Sequence, residues 1–364
     1  MRHAHQAKVL EISSYPPPHA GWGVRVQFVK HKLEQLGHEC QVLNIGKSRK
    51  QKSQAYVDVQ SSWDYVRKVL RFSLRGYLVH MHMNGQSHKG AVLALLAEVI
   101  NLLCGKRCVL TFHASADQKF FPKQKSGLMA PLLFLLFAIP KCIICNDALV
   151  KQKISEYGIQ PEKIYPIPAF SKQYLEFQQS DLAPSLRDFM ARSEPLLVSY
   201  LLIRPSFDIA TLLQAVKALT HAWPQLGLVI MGANTVGDDM DPEEVTRLIQ
   251  DLGLERHLYW TGDLPHAQFL TVLSHASVFV RTHIYDGVCS SVLEALALSV
   301  PVVACENPHR PAEVSTFKTG QVADLIAKIQ QAWQGEDCSH ALLRSPEIRD
   351  TVDEEAKLIV EIAL

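Results

Sequence analysis

Short, continuous apolar runs separated by helix-length stretches recur along this chain, and that alternation restricts the fold more than any other feature. Residues 9–12, 41–45, 78–82, 109–112, 142–145 and 164–167 read as buried strands. A strand without polar alternation has both faces covered, which is the condition of a parallel sheet inside βαβ units. Between the strands, Val26, Val29, Lys30, Leu33 and Leu36 follow helical spacing, and Gly37-His38 stops that helix. Residues 171–194 are polar and read as a connection containing one helical piece. The alternation then restarts, with strands at 196–203, 226–231, 258–260, 278–280 and 301–304. Helices are expected at 209–219, 242–252, 266–274 and 291–298, and a final one near 353–363. The expected fold class is therefore α/β, with two doubly wound Rossmann-like lobes facing a central cleft. We place the first lobe at 1–180, the second at 181–345, and a C-terminal helix at 346–364 that could cross back to the first.

The net charge of +1 conceals a division. Residues 1–170 carry 23 Lys and Arg against 10 Asp and Glu, whereas residues 171–364 carry 14 against 26. Lobes of +13 and −12 point to two different partners. With 48% apolar and 20% charged residues, the composition excludes a disordered chain and a disulfide scaffold. No nucleic-acid motif accompanies the basic half, so nucleic acid is not an expected partner.

Cys142 and Cys145 form a CxxC, which elsewhere holds zinc or performs redox chemistry. With no second CxxC and both residues inside a strand, we read them as small core residues. The start of the chain, MRHAHQAK, runs directly into a strand and shows no signal peptide, so a cytoplasmic address is expected. Residues 127–140 are apolar throughout, shorter than the ~20 residues of a spanning helix. They read either as a buried or half-buried helix or as one that dips into a bilayer surface beside Lys119, Lys123 and Lys125. The basic run Lys47, Arg49, Lys50 and Lys52 is either a further anionic-lipid contact or a solvated loop.

The strongest local signal is residues 285–304, which read as loop, helix, tight turn and buried strand. Asp286-Gly287 opens the loop, Ser290 and Ser291 stand near the helix start, and Glu294 follows eight residues after Asp286. Free N–H groups at a helix start attract phosphate, and carboxylates nearby suit sugar hydroxyls. Read alone, an N-cap with a surface Glu would account for the same residues.

These residues, followed by the PVVA run at 301–304, resemble the donor-site motif of the family-four retaining glycosyltransferases of GT-B fold. Further pieces occur in the same order. They are Tyr15-Pro-Pro-Pro-His-Ala-Gly21 with Trp22-Gly23, Gly37-His38 before Val42, His80-Met-His82, Thr111-Phe-His113, Ile164 to Pro168, and Trp260-Thr-Gly262. The resemblance implies that Glu294 holds the ribose of a nucleotide-sugar and Asp286 orients the transferred sugar. It implies that backbone around Gly287, Ser290 and Ser291 holds the diphosphate, that Gly21 approaches it, that Gly262 lies beside the base, and that His113 positions the sugar. For His80 and His82 we prefer a structural reading as hydrogen-bonded core histidines.

The chain departs from the family at its phosphate clamp. Where the family carries Arg and then Lys-Gly, this chain has Leu202 and Phe207-Asp208. We expect Arg204 and Arg281 to supply the missing charge. The expected activity is retaining, metal-independent hexosyl transfer from a nucleoside diphosphate sugar to a glycan or lipid-linked acceptor. It would serve cell-surface polysaccharide or glycolipid synthesis at the inner face of the membrane. No cofactor is expected beyond that co-substrate, and the acidic Asp238-Asp239-Met-Asp241 stretch reads as helix capping rather than a metal site. The alternatives are a nucleotide-sugar 2-epimerase of the same fold and a catalytically weak scaffold partner in a glycan assembly complex.

Overall fold

The computed structural model describes residues 6–19, 21–115, 118–232, 241–284, 289–308, 310–335 and 348–364. Along the chain the elements begin with β1 (Lys8–Ser13), α1 (Gly21–Gln35), β2 (Glu39–Asn44), α2 (Ser62–Leu74), β3 (Leu78–Met83) and α3 (His88–Leu103). There follow β4 (Val109–Phe112), α4 (Lys123–Ser126), α5 (Ala130–Ala138), β5 (Cys142–Cys145), α6 (Ala148–Ser155) and β6 (Ile164–Pro166). The next elements are α7 (Pro184–Ala191), β7 (Leu196–Tyr200), α8 (Ile209–Leu219), β8 (Gly227–Met231), α9 (Pro242–Asp251), β9 (Leu258–Gly262) and α10 (His266–Leu273). The chain closes with β10 (Val278–Arg281), α11 (Ser290–Ala297), β11 (Val302–Cys305), β12 (Ser315–Phe317), α12 (Val322–Gln334) and α13 (Thr351–Ala363). Two compact units result: residues 1–171 together with 349–364, and residues 172–348.

The first unit holds a parallel sheet in the order β2-β1-β3-β4-β5-β6. One face is apolar: Leu10, Ile12, Met81, Leu110 and Phe112 pack with Tyr65 and Val69 of α2, the alanines of α3, and Leu133, Leu136 and Phe137 of α5. Each such large side chain contributes about 1.5–3 kcal/mol on burial. Ser61, Ser87 and Asp147 cap α2, α3 and α6, each accepting a backbone N–H of the first turn. The helix within 127–140 is half-buried: Leu133, Leu136 and Phe137 turn to the core while Leu128, Phe134 and Leu135 are exposed.

The opposite face of that sheet is just as thoroughly buried, and among Val9, Leu78, Val109 and Ile144 it carries a cluster of polar side chains. Parallel register sets Glu11 beside His80 and His82 beside Thr111, so these side chains share one face by the period of two. The helix α13 packs on α1 and reaches β1. Its Glu355 accepts from Arg25 Nε of α1 at 2.7 Å, and Arg25 also donates to Thr351 Oγ1 at 2.9 Å and to the Thr351 carbonyl at 2.8 Å. Both charged side chains are 2% exposed, so neither has water as an alternative partner.

The second unit repeats the plan with the order β12-β11-β10-β7-β8-β9, again parallel. Leu212, Leu213 and Val216 of α8 and Leu325 and Ile329 of α12 cover one face. Phe189 of α7, Leu270 and Leu273 of α10, and Val292 and Ala295 of α11 cover the other. The edge strand β12 is absent from the expected elements because three residues at a sheet edge make too short a pattern to register. The expected strand at 196–203 ends three residues early, at Tyr200.

Removing one partner of a buried ion pair strands the other charge, typically at a cost of about 3–5 kcal/mol. Arg25→Ala should therefore lower stability by roughly 3–5 kcal/mol in urea denaturation, with Glu355→Ala similar. The double replacement Arg25→Met with Glu355→Leu should recover most of that loss, because it leaves no orphan charge.

Candidate active site

In open α/β sheets ligands bind beyond the carboxyl ends of the strands, where the strand order reverses. In the first unit that point lies between β1 and β3. The segment after β1 leads to Gly21 at the start of α1, and a side chain added at Gly21 would meet nothing within 4 Å. The next residue, Trp22, stacks on the His113 ring with centroids 4.7 Å apart and an interplanar angle of 18°. The structure thus brings together Gly21 and His113, two of the sequence-predicted residues, with Trp22 as the link.

Beneath His113 lies a chain of buried polar groups. His113 Nε2 is 2.9 Å from His82 Nδ1. His82 Nε2 is 2.7 Å from Glu11 Oε2. His80 Nδ1 is 3.0 Å from Glu11 Oε1, and its Nε2 lies 2.7 Å from Thr111 Oγ1. Burial pushes the Glu11 carboxyl up, but the charge of His80 and hydrogen bonds from both histidines overcome it and hold the pKa at about 2. For His80, burial works against the cation, yet the neighbouring Glu11 carboxylate raises its pKa. Burial and the charge of His80 lower that of His82, and burial followed by His82 lowers that of His113 well below the usual imidazole range. Among the described residues, Glu11, His80 and His82 are the group close enough to hold a metal ion. Their contacts of 2.7–3.0 Å are hydrogen-bond lengths. The preferred reading of His80 and His82 as hydrogen-bonded core histidines agrees with these contacts, while Glu11 was not singled out as a site residue.

The reversal in the second unit lies between β7 and β10. Arg204 follows β7 and is exposed; Arg281 ends β10 and is buried. Both cations bear on Tyr200, whose hydroxyl burial raises in pKa and Arg281 lowers. Arg281 Nη2 lies 2.9 Å from His283 Nδ1, and the His283 ring stacks on Phe207 at 3.9 Å between centroids. Phe207 is a buried ring that holds this wall. Asp208 adopts φ 45°, a left-handed conformation uncommon for a residue other than glycine.

At the same edge, α11 begins at Ser290, and its N-cap, Cys289, makes no side-chain capping bond. Ser291 lies in the first turn, its Oγ 3.1 Å from Cys289 Sγ. Glu294 is 4% exposed and its Oε1 is 2.8 Å from His266 Nε2, with Tyr174 edge-on to the His266 ring. His266 was missed because a histidine at a helix start carries no signal by itself. Gly262 ends β9 at φ 73° and its carbonyl accepts the Gly232 N–H at 3.0 Å. Asp286 and Gly287 lie outside the described residues, as do Asp238 and Asp239. Asp241 caps α9 through the Glu243 N–H at 2.9 Å.

Two features stand apart from these edges. Cys142 and Cys145 are buried three positions apart on one strand, so they face opposite sides of the sheet, and burial pushes each thiol up to about 12. A hollow of about 830 Å³ in the second unit, lined by Glu194, Gln225 and Ser277, lies at the amino ends of the strands, opposite the predicted residues.

Residues 191–343 match the family model described as glycosyl transferases group 1. The uncharacterized glycosyltransferase MJ1059 of Methanocaldococcus jannaschii is 27% identical over 103 residues, 28% of this chain and 24% of that relative. The chain thus matches only about a quarter of that curated relative's length. The crystal structure of Anabaena Alr3699/HepE in complex with UDP-glucose aligns with a TM-score of 0.66 at 16% identity, over 98% of this chain and 97% of the other. A putative UDP-N-acetylglucosamine 2-epimerase from Listeria monocytogenes aligns at 0.62 and 13% identity, over 97% and 94%. The fold is GT-B, two Rossmann-like units each built on a six-stranded parallel sheet. The match to the glycosyl transferases group 1 model falls within the second unit.

The depressed pKa of Glu11 makes a signed prediction. A carboxyl lowered from 4.5 to about 2 stabilises the fold fully above 4.5 and loses that contribution as pH falls towards 2. The stability advantage of the wild type over Glu11→Gln should be complete near neutrality and close across that acid interval. Urea denaturation at a series of pH values measures it; a gap that persists unchanged in acid would contradict the assignment.

Proposed function

We propose that the chain transfers a sugar from a nucleoside diphosphate sugar to a glycan or lipid-linked acceptor, with retention of configuration and without a metal ion. The observation that carries this reading is the match of residues 191–343, combined with cations, a helix start and a buried carboxylate at one strand edge of that unit. In this reading Glu294, steadied by His266, binds the ribose hydroxyls, and Asp286 orients the transferred sugar. The start of α11 at Ser290 and Ser291, with Arg204, Arg281 and the backbone at Gly287, holds the diphosphate. Gly262 lies beside the base, and Gly21 leaves room for the phosphates. The departing phosphate oxygen takes the acceptor's proton on the same face, so no dedicated protein base is required. A 2-epimerase shares the fold, but the family match favours transfer.

A thermal-shift series with UDP-, GDP- and ADP-sugars tests the donor. A sugar at a hundred times its dissociation constant should stabilise the protein by about 2.7 kcal/mol, and Glu294→Ala should remove the shift. Arg204→Ala and Arg281→Ala should each slow turnover by about a hundredfold to a thousandfold, as loss of one charge-stabilising donor does. If turnover survives both, the replacement clamp is wrong, and if no nucleotide-sugar binds, so is the donor reading.

We further propose that the basic first unit meets an acceptor at an anionic membrane surface, in cell-surface polysaccharide or glycolipid synthesis at the cytoplasmic face. What supports this is Leu128, fully exposed, with Phe134 and Leu135 exposed on α5, close in sequence to Lys119, Lys123 and Lys125. Among the described residues, no helix is long and apolar enough to cross a membrane. Binding to phosphatidylserine-containing vesicles should weaken as salt rises and fall further in Phe134→Glu with Leu135→Glu, while nucleotide binding changes little. Vesicle binding indifferent to salt would count against it.

A further inference from the structure

The hollow at the amino ends of the second unit's strands has a fixed floor. Ser277 Oγ accepts the Leu196 N–H at 3.0 Å, and the Glu194 N–H donates to the Gln225 carbonyl at 2.9 Å. Gly227, at the start of β8, lies so close to Ser193 that a Cβ there would collide with it. The volume of about 830 Å³ falls within the range of about 300–1,000 Å³ usual for ligand sites.

One wall is Trp333, near the end of α12. At 37%, it is the one large apolar side chain left exposed in the second unit among the described residues. Among those residues the side chains of Trp333, Arg187, Gln225 and Glu194 make no hydrogen bond, so their donors and acceptors are available to a ligand. His275 Nδ1 donates to the Thr271 carbonyl at 2.8 Å, which leaves Nε2 of a neutral ring as an acceptor. Formal charge cancels within the lining, Arg187 and Arg192 against Asp181 and Glu194. A phosphate would meet two carboxylates here and a metal ion two guanidiniums. A neutral, hydroxyl-rich molecule fits better, because each hydroxyl both donates and accepts. The C–H bonds on one face of a pyranose ring also make an apolar patch that matches the negative face of an indole.

We infer that this hollow is a second carbohydrate site, which holds a neutral oligosaccharide by stacking one sugar on Trp333 and hydrogen-bonding its hydroxyls to Arg187, Gln225 and Glu194. It lies at the strand ends opposite Arg204, Arg281 and Glu294, so the sugar it holds is bound and not transformed. The choice of a glycan rests in part on the glycosyltransferase reading; the chemistry of the lining is independent of it. A chain anchored here keeps its free end at raised local concentration around the enzyme, so long glycans gain over short ones.

The full chain with 15N-labelled tryptophan should give five indole N–H signals, and Trp333→Phe identifies that of Trp333. Maltopentaose, cellopentaose and chitopentaose are then titrated in turn. At least one should move the Trp333 signal saturably, and Trp333→Ala should weaken its binding at least tenfold. Arg187→Ala and Gln225→Ala, both at exposed positions, should each weaken it about tenfold, equivalent to 1.4 kcal/mol, and serve as further variants if Trp333→Ala does not fold. All three should leave the thermal shift with nucleotide-sugars unchanged. A Trp333 signal that no oligosaccharide moves, or binding indifferent to these substitutions, overturns the site. So does a shift produced by inorganic phosphate in preference to every sugar. If no UDP-, GDP- or ADP-sugar binds while an oligosaccharide still titrates Trp333, the transfer reading falls and the carbohydrate site stands. The reverse result removes this site alone.

Discussion

A carboxylate with no access to water is the constraint around which the first unit is arranged. Glu11 sits on a central strand of a parallel sheet at 0% exposure, where an isolated charge would cost far more than any single packing contact returns. The sheet answers with donors placed by register: His80 directly opposite on β3, His82 two residues on. Each imidazole then needs a partner for its other nitrogen, which brings in Thr111 and His113 of the next strand. A second charged pair, Arg25 with Glu355, closes the face from the helix side. The polar half of the core is therefore specified by directional bonds, whereas the apolar half behind α2, α3 and α5 is specified by volume.

The second unit is acidic overall yet gathers cations at one place. It concentrates positive potential at one edge. Arg204 and Arg281 flank the reversal in strand order, and the start of α11 adds a partial positive charge there. The Phe207 ring supports His283, which in turn sits against Arg281.

The fold was readable in the chain because unbroken apolar runs in both halves leave parallel sheets as their economical arrangement. The strands at 109–112 and 142–145 coincide with β4 and β5. The short edge strand β12 left no comparable pattern. The candidate site was readable only where its residues fall in ordered local motifs. His113, Gly21 and Glu294 belong to such motifs. Glu11, Arg25 and His266 do not: their roles arise from partners 330, 71 and 28 residues distant in the pairs Arg25–Glu355, Glu11–His82 and His266–Glu294. An acidic residue inside a strand looks like a surface position until the register shows what stands beside it.

The closing helix α13 belongs to the first unit although the whole second unit lies between them in the chain. Arg25 is synthesised 330 residues before the carboxylate that neutralises it. As a chain emerges from the ribosome the first sheet can assemble early, but its second face stays uncovered until α13 arrives. The Arg25–Glu355 bond accordingly acts as a clasp that closes only after the second unit has been made. A product truncated before Glu355 would present an open, charged seam, the kind of defect by which quality-control machinery distinguishes unfinished molecules from finished ones.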